Sequence, residues 1–568
     1  MSKTQLAARW LVKNNPFEKD NVGNCHGDNF NVGCGAGPDG SPDGAAVFNG
    51  KNSYVEIPDA PSLRLGSDDF SVAVWVRAEK PISSVLGDIF SKFDPEQRCG
   101  VNLQLRGSSP AYSGMSDARH VHFGIDDSYV GELVDCGKPW PSNSLVPVLI
   151  GYNGDLYAGI SDADRPKDAA HVFRWGGGKQ WMDCGRLGDN PGHLSVQSML
   201  VHDGKLYAGT GVFDWVRNHA DNNFTPALTH VYRYEGNTTW KDLGQVGDGV
   251  RVLCMASFQG HLYVGLDRIG SGHVFRLEND RWVDCGKLGE GKDNVENIVP
   301  LNGVLYANSH KRMYLFEGIN KWVEIGNQPF DIQQIHATQV YGGKMYYGTW
   351  SQGYTLRHEN DGTWSNVGRL GLPEGQTQKP INEVISLAAY NGKLYAGVLP
   401  KAQLYRYESD GHWTLMGRLV SRPEWNGEEN TPAWGRVTCF CVFQGRLFVT
   451  AGASQARACD VDVEGTHGRV MAMQAGLNAS YDRDIGGEWT HLAGVRQGKT
   501  LKLYLNGVQV AAAEMPAGHT FDLSTSKPMY IGFGPHNYFT GALSDFRLYK
   551  GALAKDEVAA CAGLVKGN

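Results

Sequence analysis

One short pattern, a two-residue turn leading into a strand, occurs seven times in this chain: YNGDLYAG (152–159), HDGKLYAG (202–209), FQGHLYVG (258–265), LNGVLYAN (301–308), YGGKMYYG (341–348), YNGKLYAG (390–397) and FQGRLFVT (443–450). Pairs such as Asn-Gly, Asp-Gly and Gly-Gly suit hairpin turns with positive φ at both central positions. Each copy follows an apolar run and precedes another, HVFRW, HVYRY, HVFRL, RMYLF, YTLRH, QLYRY and RVMAM. A further strand follows the first six, opening with Trp181, Trp240, Trp282, Trp322, Trp364 and Trp413. Four short strands recurring every 40 to 56 residues is the period of a β-propeller.

The seventh unit lacks its fourth strand, and a spare copy, LVDCG (133–137), stands ahead of the first unit. A ring locked by strands from both ends of the propeller segment accounts for both facts. Cys136, Cys184 and Cys285 fall in copies of that same DCG motif, so they occupy equivalent places on different blades. Such places are too far apart to bond, which makes these cysteines small buried hydrophobes. Cys25 and Cys34 flank a Gly/Asn-rich turn and could pair in an oxidising compartment.

Composition narrows the functional classes. With 41% hydrophobic and 11% aromatic residues the chain is globular, and 73 glycines suit an all-β protein rich in tight turns. A formal charge of −7 with interspersed signs argues against a nucleic-acid footprint, which needs a basic face. No apolar run reaches membrane-spanning length, so no membrane partner is expected. MSKTQLAARWLVKNNPF has no apolar leader core, which fits either a cytoplasmic protein or an exported one whose leader has been removed.

Outside the repeat, FSVAVWV alternates, with Phe70, Val72, Val74 and Val76 on one side, as a sandwich strand requires. Residues 45–79 (AAVFNGKNSYVEIPDAPSLRLGSDDFSVAVWVRAE), DIFSKFD and HVHFGID (120–126) precede the propeller. After it come EWTHLAGVRQGKTLKLYLNGVQVA (488–511) and MYIGFGPHNYFTGALSDFRLYKGALAKDEVAA (529–560). Together these segments resemble the two halves of a laminin-G-like domain of the concanavalin A-like lectin/glucanase superfamily. The expected fold class is therefore all-β, a seven-bladed propeller inserted into a laminin-G-like sandwich. Residues 1–130 and 477–568 form the sandwich, and 131–476 the propeller. The resemblance implies carbohydrate binding, sometimes with Ca²⁺, though many such domains are spacers. Asp556 and Glu557 fall in a short helical end and are read as solvated.

The splice between the third and fourth strands of the last blade places the sandwich on the face of the Asn-Gly turns. The opposite face is left to long loops, among them 209–230, 326–337, 418–436 and 451–468. Side chains on loops held by a rigid ring converge at its mouth.

The 209–230 loop offers Asp214, Trp215, Arg217, His219 and His230. An aromatic face beside Arg and a carboxylate suits a sugar ring and its hydroxyls. Gln334 and His336 open an inner strand with Gln333, and His336 is a candidate acid or base. His310, Lys311 and Arg312 form a basic cluster nearby, and Trp350 follows one strand on. Arg251, Asn382, Glu383 and Arg436 hold the equivalent opening positions, so Arg251, His336 and Arg436 would make an electropositive funnel suited to acidic sugars.

Asp460, Asp462 and Glu464, before Gly465, begin like a calcium loop, but Met471 stands where the closing Glu belongs, so no metal is assigned. No other cofactor motif is present, and Ca²⁺ alone is entertained. A base and cations are easier to name than a carboxylate pair, so elimination is placed slightly ahead of hydrolysis. The expected function is binding and cleavage of a polysaccharide or oligosaccharide, acidic glycans favoured, with His336, Arg436 and Asp214 as catalytic candidates. Gln334, Trp350, Arg251, Trp215, Arg217, His310 and Glu383 would bind substrate. A non-catalytic lectin and a propeller interaction scaffold are the alternatives.

Overall fold

The computed structural model describes all residues except 1–3, 13–16, 108–114, 142–144, 162–168, 213–226, 268–271, 290–293, 360, 372–381, 400, 421–434, 454–466 and 564–568. The fold is all-β, as the sequence pattern predicts, with a propeller and a two-sheet sandwich.

Among the described residues the repeat forms seven four-stranded blades, the first two joined into one sheet by a single bridge between Ser161 and Ser195. Each hairpin turn between the first and second strands is left-handed at both central residues, as with Asn153 (φ 52°) and Gly154 (φ 81°). That backbone is the reason the second turn residue is always Gly, after Asn, Asp or Gly in five turns and Gln in the other two. The spare strand takes the place expected for it: Val134–Asp135 pairs with Arg469–Met473, in the sheet that also holds Arg446–Ala453 and Gly435–Phe443.

Five of the six repeated tryptophans tie neighbouring blades. The indole N–H of Trp240 donates to the Cys184 carbonyl at 2.8 Å, that of Trp282 to Leu243 at 3.1 Å, that of Trp322 to Cys285 at 3.0 Å, and that of Trp413 to Val367 at 2.9 Å. Trp181 does the same across the closure, donating to the Cys136 carbonyl at 2.9 Å. A half-buried indole thus satisfies its one polar atom on the preceding blade while its ring fills the gap. Trp181→Phe keeps most of the ring and deletes this bond, so stability should fall by about 1 kcal/mol in urea titration. Cys136, Cys184 and Cys285 are buried free thiols, as expected. Cys25 and Cys34 are also free: Cys25 is buried with its sulfur 3.2 Å from Ser62 Oγ and Cys34 is exposed, so the pairing considered for them does not form.

The sandwich has two sheets. In one, Thr540–Lys550 lies between Ala45–Asn49 and Phe70–Ala78, and the order continues through Thr490–Gln497, Thr500–Leu505 and Val508–Glu514. In the other, Tyr54–Ile57, Met529–Ile531, Gly87–Asp94, Cys99–Arg106, His120–Val130 and Ala475–Tyr481 are consecutive neighbours. Phe70, Val72, Val74 and Val76 enter the core between the sheets, and Ala73 faces the terminal helix Lys555–Gly563, on which Asp556 and Glu557 are exposed.

The sandwich packs on the Asn-Gly-turn face and reaches the turn region of every blade. Gly154 N–H donates to Asp482 O at 2.9 Å, Asp117 N–H to Val201 O at 2.8 Å, and Gln259 N–H to Ile82 O at 3.3 Å. Gly303 N–H donates to Ser83 O at 3.0 Å, and Gly342 N–H to His536 O at 2.9 Å. Asn391 Nδ2 donates to Asp126 Oδ2 at 2.6 Å, and Gln444 N–H to Asp482 Oδ2 at 2.8 Å. Glycine is required here for space as well as for conformation: a Cβ on Gly445 would stand 2.3 Å from the Asn478 carbonyl oxygen. The opposite face, where the inner strands open, is therefore the one free to carry a site.

Candidate functional site

Five inner strands begin at the mouth of the ring on consecutive blades: Arg251–Phe258, Asn297–Leu301, Gln334–Tyr341, Glu383–Tyr390 and Gly435–Phe443. Their opening residues place Arg251, Glu296, Gln334, His336, Glu383 and Arg436 around one axis.

His336 is the centre of the cluster. Its Nε2 lies 3.0 Å from Gln334 Oε1, while Gln334 Nε2 donates to Glu296 Oε1 at 3.1 Å. This orientation of the amide makes His336 Nε2 a donor. The other ring nitrogen, Nδ1, lies 3.4 Å from Glu383 Oε1 and 3.8 Å from Glu296 Oε2. The side chain of His336 is 17% exposed, Glu383 10% and Glu296 2%.

Burial decides the protonation states. It lowers the pKa of His336 from the ordinary imidazole value, against the pull of Glu296 and with help from Arg251, Arg436 and His310. Burial also raises Glu296, which His336 and Arg251 partly offset, and pushes Glu383 up to about 7 despite Arg436. A neutral imidazole with its Nδ1 lone pair 3.4 Å from a protonated Glu383 sets a base beside an acid without a hydrogen bond tying them together. Pairs of titratable groups pushed in opposite directions at a cleft are what acid–base chemistry needs.

The charge around this centre differs from the funnel expected. Arg251 pairs with buried Asp267 at 2.6 Å, and its register partner across the strand pair is that same Asp267. With Asp267 paired to Arg251, the mouth is not simply electropositive. Glu296 was missed in the sequence; in NVEN it stands as far ahead of its hairpin turn at Asn302 as His336 does ahead of the turn at Gly342. With it, the carboxylate pair that the sequence did not reveal is present around one imidazole.

The remaining candidates are distributed less centrally. Trp350 is half-buried and faces Gln334 across the strand pair, and Gln333 N–H donates to its carbonyl at 2.7 Å. His310 lies on the neighbouring blade, where its carbonyl accepts Ile335 N–H at 2.7 Å, and Arg312 pairs with Glu324 at 3.4 Å. Lys311 is exposed. Asn382 is buried and donates to Leu370 O at 3.2 Å, so it holds a loop and does not face the mouth. His230 pairs with Asp242 at 3.0 Å, as His171 does with Asp183 and His273 with Asp284, and so belongs to a repeated outer-strand brace. Asp214, Trp215, Arg217 and His219, and likewise Asp460, Asp462 and Glu464, lie outside the described residues. Among the described residues no cluster of three or more His, Cys, Asp or Glu could hold a metal, and no helix is long and apolar enough to cross a membrane.

Residues 433–559 match the family model of the concanavalin A-like lectin/glucanases superfamily. The matched span begins inside the last blade, ahead of the sandwich strand Ala475–Tyr481. A sandwich of this superfamily is compatible with carbohydrate binding. Pappalysin-1 of Mus musculus is 36% identical over 78 residues, 13% of this chain and 5% of that protein's length, so the chain spans only a small part of it. Among solved structures, a virginiamycin B lyase from Staphylococcus aureus is similar over 60% of this chain and 99% of its own, with 8% identity and a TM-score of 0.41. A mutant Trypanosoma rangeli sialidase displaying trans-sialidase activity covers 81% of this chain and 97% of its own, with 14% identity and a TM-score of 0.28. Likenesses this distant assign no activity to this chain.

Proposed function

We propose that this chain binds and cleaves an acidic polysaccharide at the mouth of its propeller. In this reading residues 131–476 form a propeller inserted into a sandwich made of 1–130 and 477–568. The pairing of His120–Val130 with Ala475–Tyr481, and of Val134–Asp135 with Arg469–Met473, supports that division. The observation that carries the activity is the His336–Glu383–Glu296 cluster, with its oppositely shifted acid and base.

Elimination uses these groups directly. Neutral His336 takes at Nδ1, the nitrogen that carries its lone pair, the proton α to a uronate carboxylate, whose charge Arg436 offsets. The C–H electron pair becomes the new C=C bond, the glycosidic C–O bond breaks, and protonated Glu383 gives its proton to the departing oxygen. Asp214, Trp215 and Arg217 would extend the substrate platform. Hydrolysis remains the second reading, favoured by the two carboxylates around one imidazole.

A panel of acidic and neutral polysaccharides, followed for new reducing ends and for the ultraviolet absorbance of unsaturated uronates, tests both. Elimination yields both signals, hydrolysis only the first, and binding without either signal returns the chain to the lectin class.

The pH profile gives a sharper check. Glu383 loses its proton as pH rises through about 7, so kcat should decline on the alkaline side there. Because burial lowers His336, the base stays neutral below the ordinary imidazole value of about 6.5, and activity should persist into mildly acidic buffer. A profile flat between about pH 6 and 9 would exclude Glu383 as the acid.

A further inference from the structure

At the other end of the channel from His336, where the sandwich closes the ring, there is a cavity of about 90 Å³. One water needs roughly 10–15 Å³, so the space admits a small molecular ion. Sandwich residues Gln104, Arg106, His536 and Asn537 line it, and Thr338 and Gln339 of the inner strand Gln334–Tyr341 line it from the propeller.

Arg106 is mostly buried, and its one protein hydrogen bond among the described residues runs from Nη1 to the Ala389 carbonyl at 3.2 Å. No carboxylate among the described residues approaches it to ion-pair distance. Asp482 stands 3.6 Å from His122 and accepts Gln444 N–H, and Asp88 is taken by His536 at 2.9 Å. The neighbouring segment 108–114, SSPAYSG, contains no acidic residue. Asp482 acts on it only from beyond ion-pair distance, and a guanidinium withdrawn from water without a hydrogen-bonded counter-charge is costly.

Two further groups in the cavity wall lack partners. Asn537 is 1% exposed and its Nδ2 has no hydrogen-bond acceptor, and Thr338 Oγ1 is likewise buried and unpaired. His536 does not complete either of them, since its Nε2 accepts the Gly392 N–H at 2.9 Å and its Nδ1 faces Asp88. The wall therefore presents a fixed cation, an amide donor and a hydroxyl with no acceptor among them.

We propose that this cavity binds a small oxyanion, a carboxylate or an inorganic phosphate-like ion, held by Arg106, Asn537 and Thr338 between sandwich and propeller. The planar guanidinium fork suits two oxygens of such an ion, and the amide and hydroxyl take its remaining lone pairs. The site is independent of the cleavage proposed at the mouth and lies on the opposite face.

The test is thermal unfolding of the full chain in sodium formate and in sodium phosphate, against sodium chloride at matched pH and ionic strength. Formate, phosphate or both should raise the melting temperature by at least about 2 °C over chloride. A response to formate alone assigns a carboxylate, and to phosphate alone an inorganic ion. The Asn537→Ala/Thr338→Val double variant removes no side-chain hydrogen bond among the described residues and should fold, but lose most of the shift. Equal melting in all three salts, or the same shift in the double variant, would overturn the proposal. Arg106→Met should abolish the response if it folds, and the double variant decides the matter if it does not.

Discussion

Replacing His336 by Ala is expected to lower polysaccharide cleavage by at least about tenfold, toward the 10²–10⁴-fold typical of a lost acid–base group. The imidazole lies within ion-pair distance of both raised carboxyls, and its removal leaves the acid without its base. Its side chain keeps 17% exposure and donates only to Gln334, so the melting temperature should move by no more than a few degrees. Steady-state kinetics and thermal unfolding on the same preparation separate the two effects. A sharp loss of melting temperature with unchanged cleavage would make His336 a core residue and shift the site to the sandwich.

The second large effect concerns the join between the two folds. Arg98 and Asp126 are 3% and 0% exposed and meet in a forked ion pair at 2.8–3.0 Å. Asp126 also accepts Asn391 Nδ2 from the sixth blade, and Arg98 Nη2 donates to the Tyr129 carbonyl at 2.6 Å. Asp126→Ala leaves a buried guanidinium without its counter-charge and an interface amide without its acceptor. A loss of about 3–5 kcal/mol is expected, read as a lower urea midpoint. A loss under about 1 kcal/mol would mean that the pair contributes little at this interface.

Much of this architecture is legible in the sequence because turn chemistry and strand chemistry repeat together. Asn153-Gly154 and its six equivalents mark where each blade reverses, and Trp181 to Trp413 mark where each meets its neighbour. The offset of 133–137 is legible for the same reason, since a missing copy and a spare one add to a ring.

The site is less legible because the repeat breaks down there. Arg251, Glu383 and Arg436 stand out only by sharing the opening position of Gln334, and Glu296 holds on its blade the place of His336, hidden in a stretch of ordinary polar composition. Asp267, which cancels the charge of Arg251, is 16 residues away along the chain and opposite it only once the strands pair. Protonation was out of reach for a related reason. The upward shift of Glu383 and the downward shift of His336 come from burial at the ring axis, which no single blade's sequence displays.

The location of the working face can be decided by one structure: the Glu383→Gln variant crystallised with an acidic oligosaccharide drawn from the polysaccharide it binds. The sugar is expected at the propeller mouth, with a carboxylate near Arg436 and a ring carbon's hydrogen within reach of His336. An oligosaccharide seated on the sandwich, with the mouth empty, would contradict that placement.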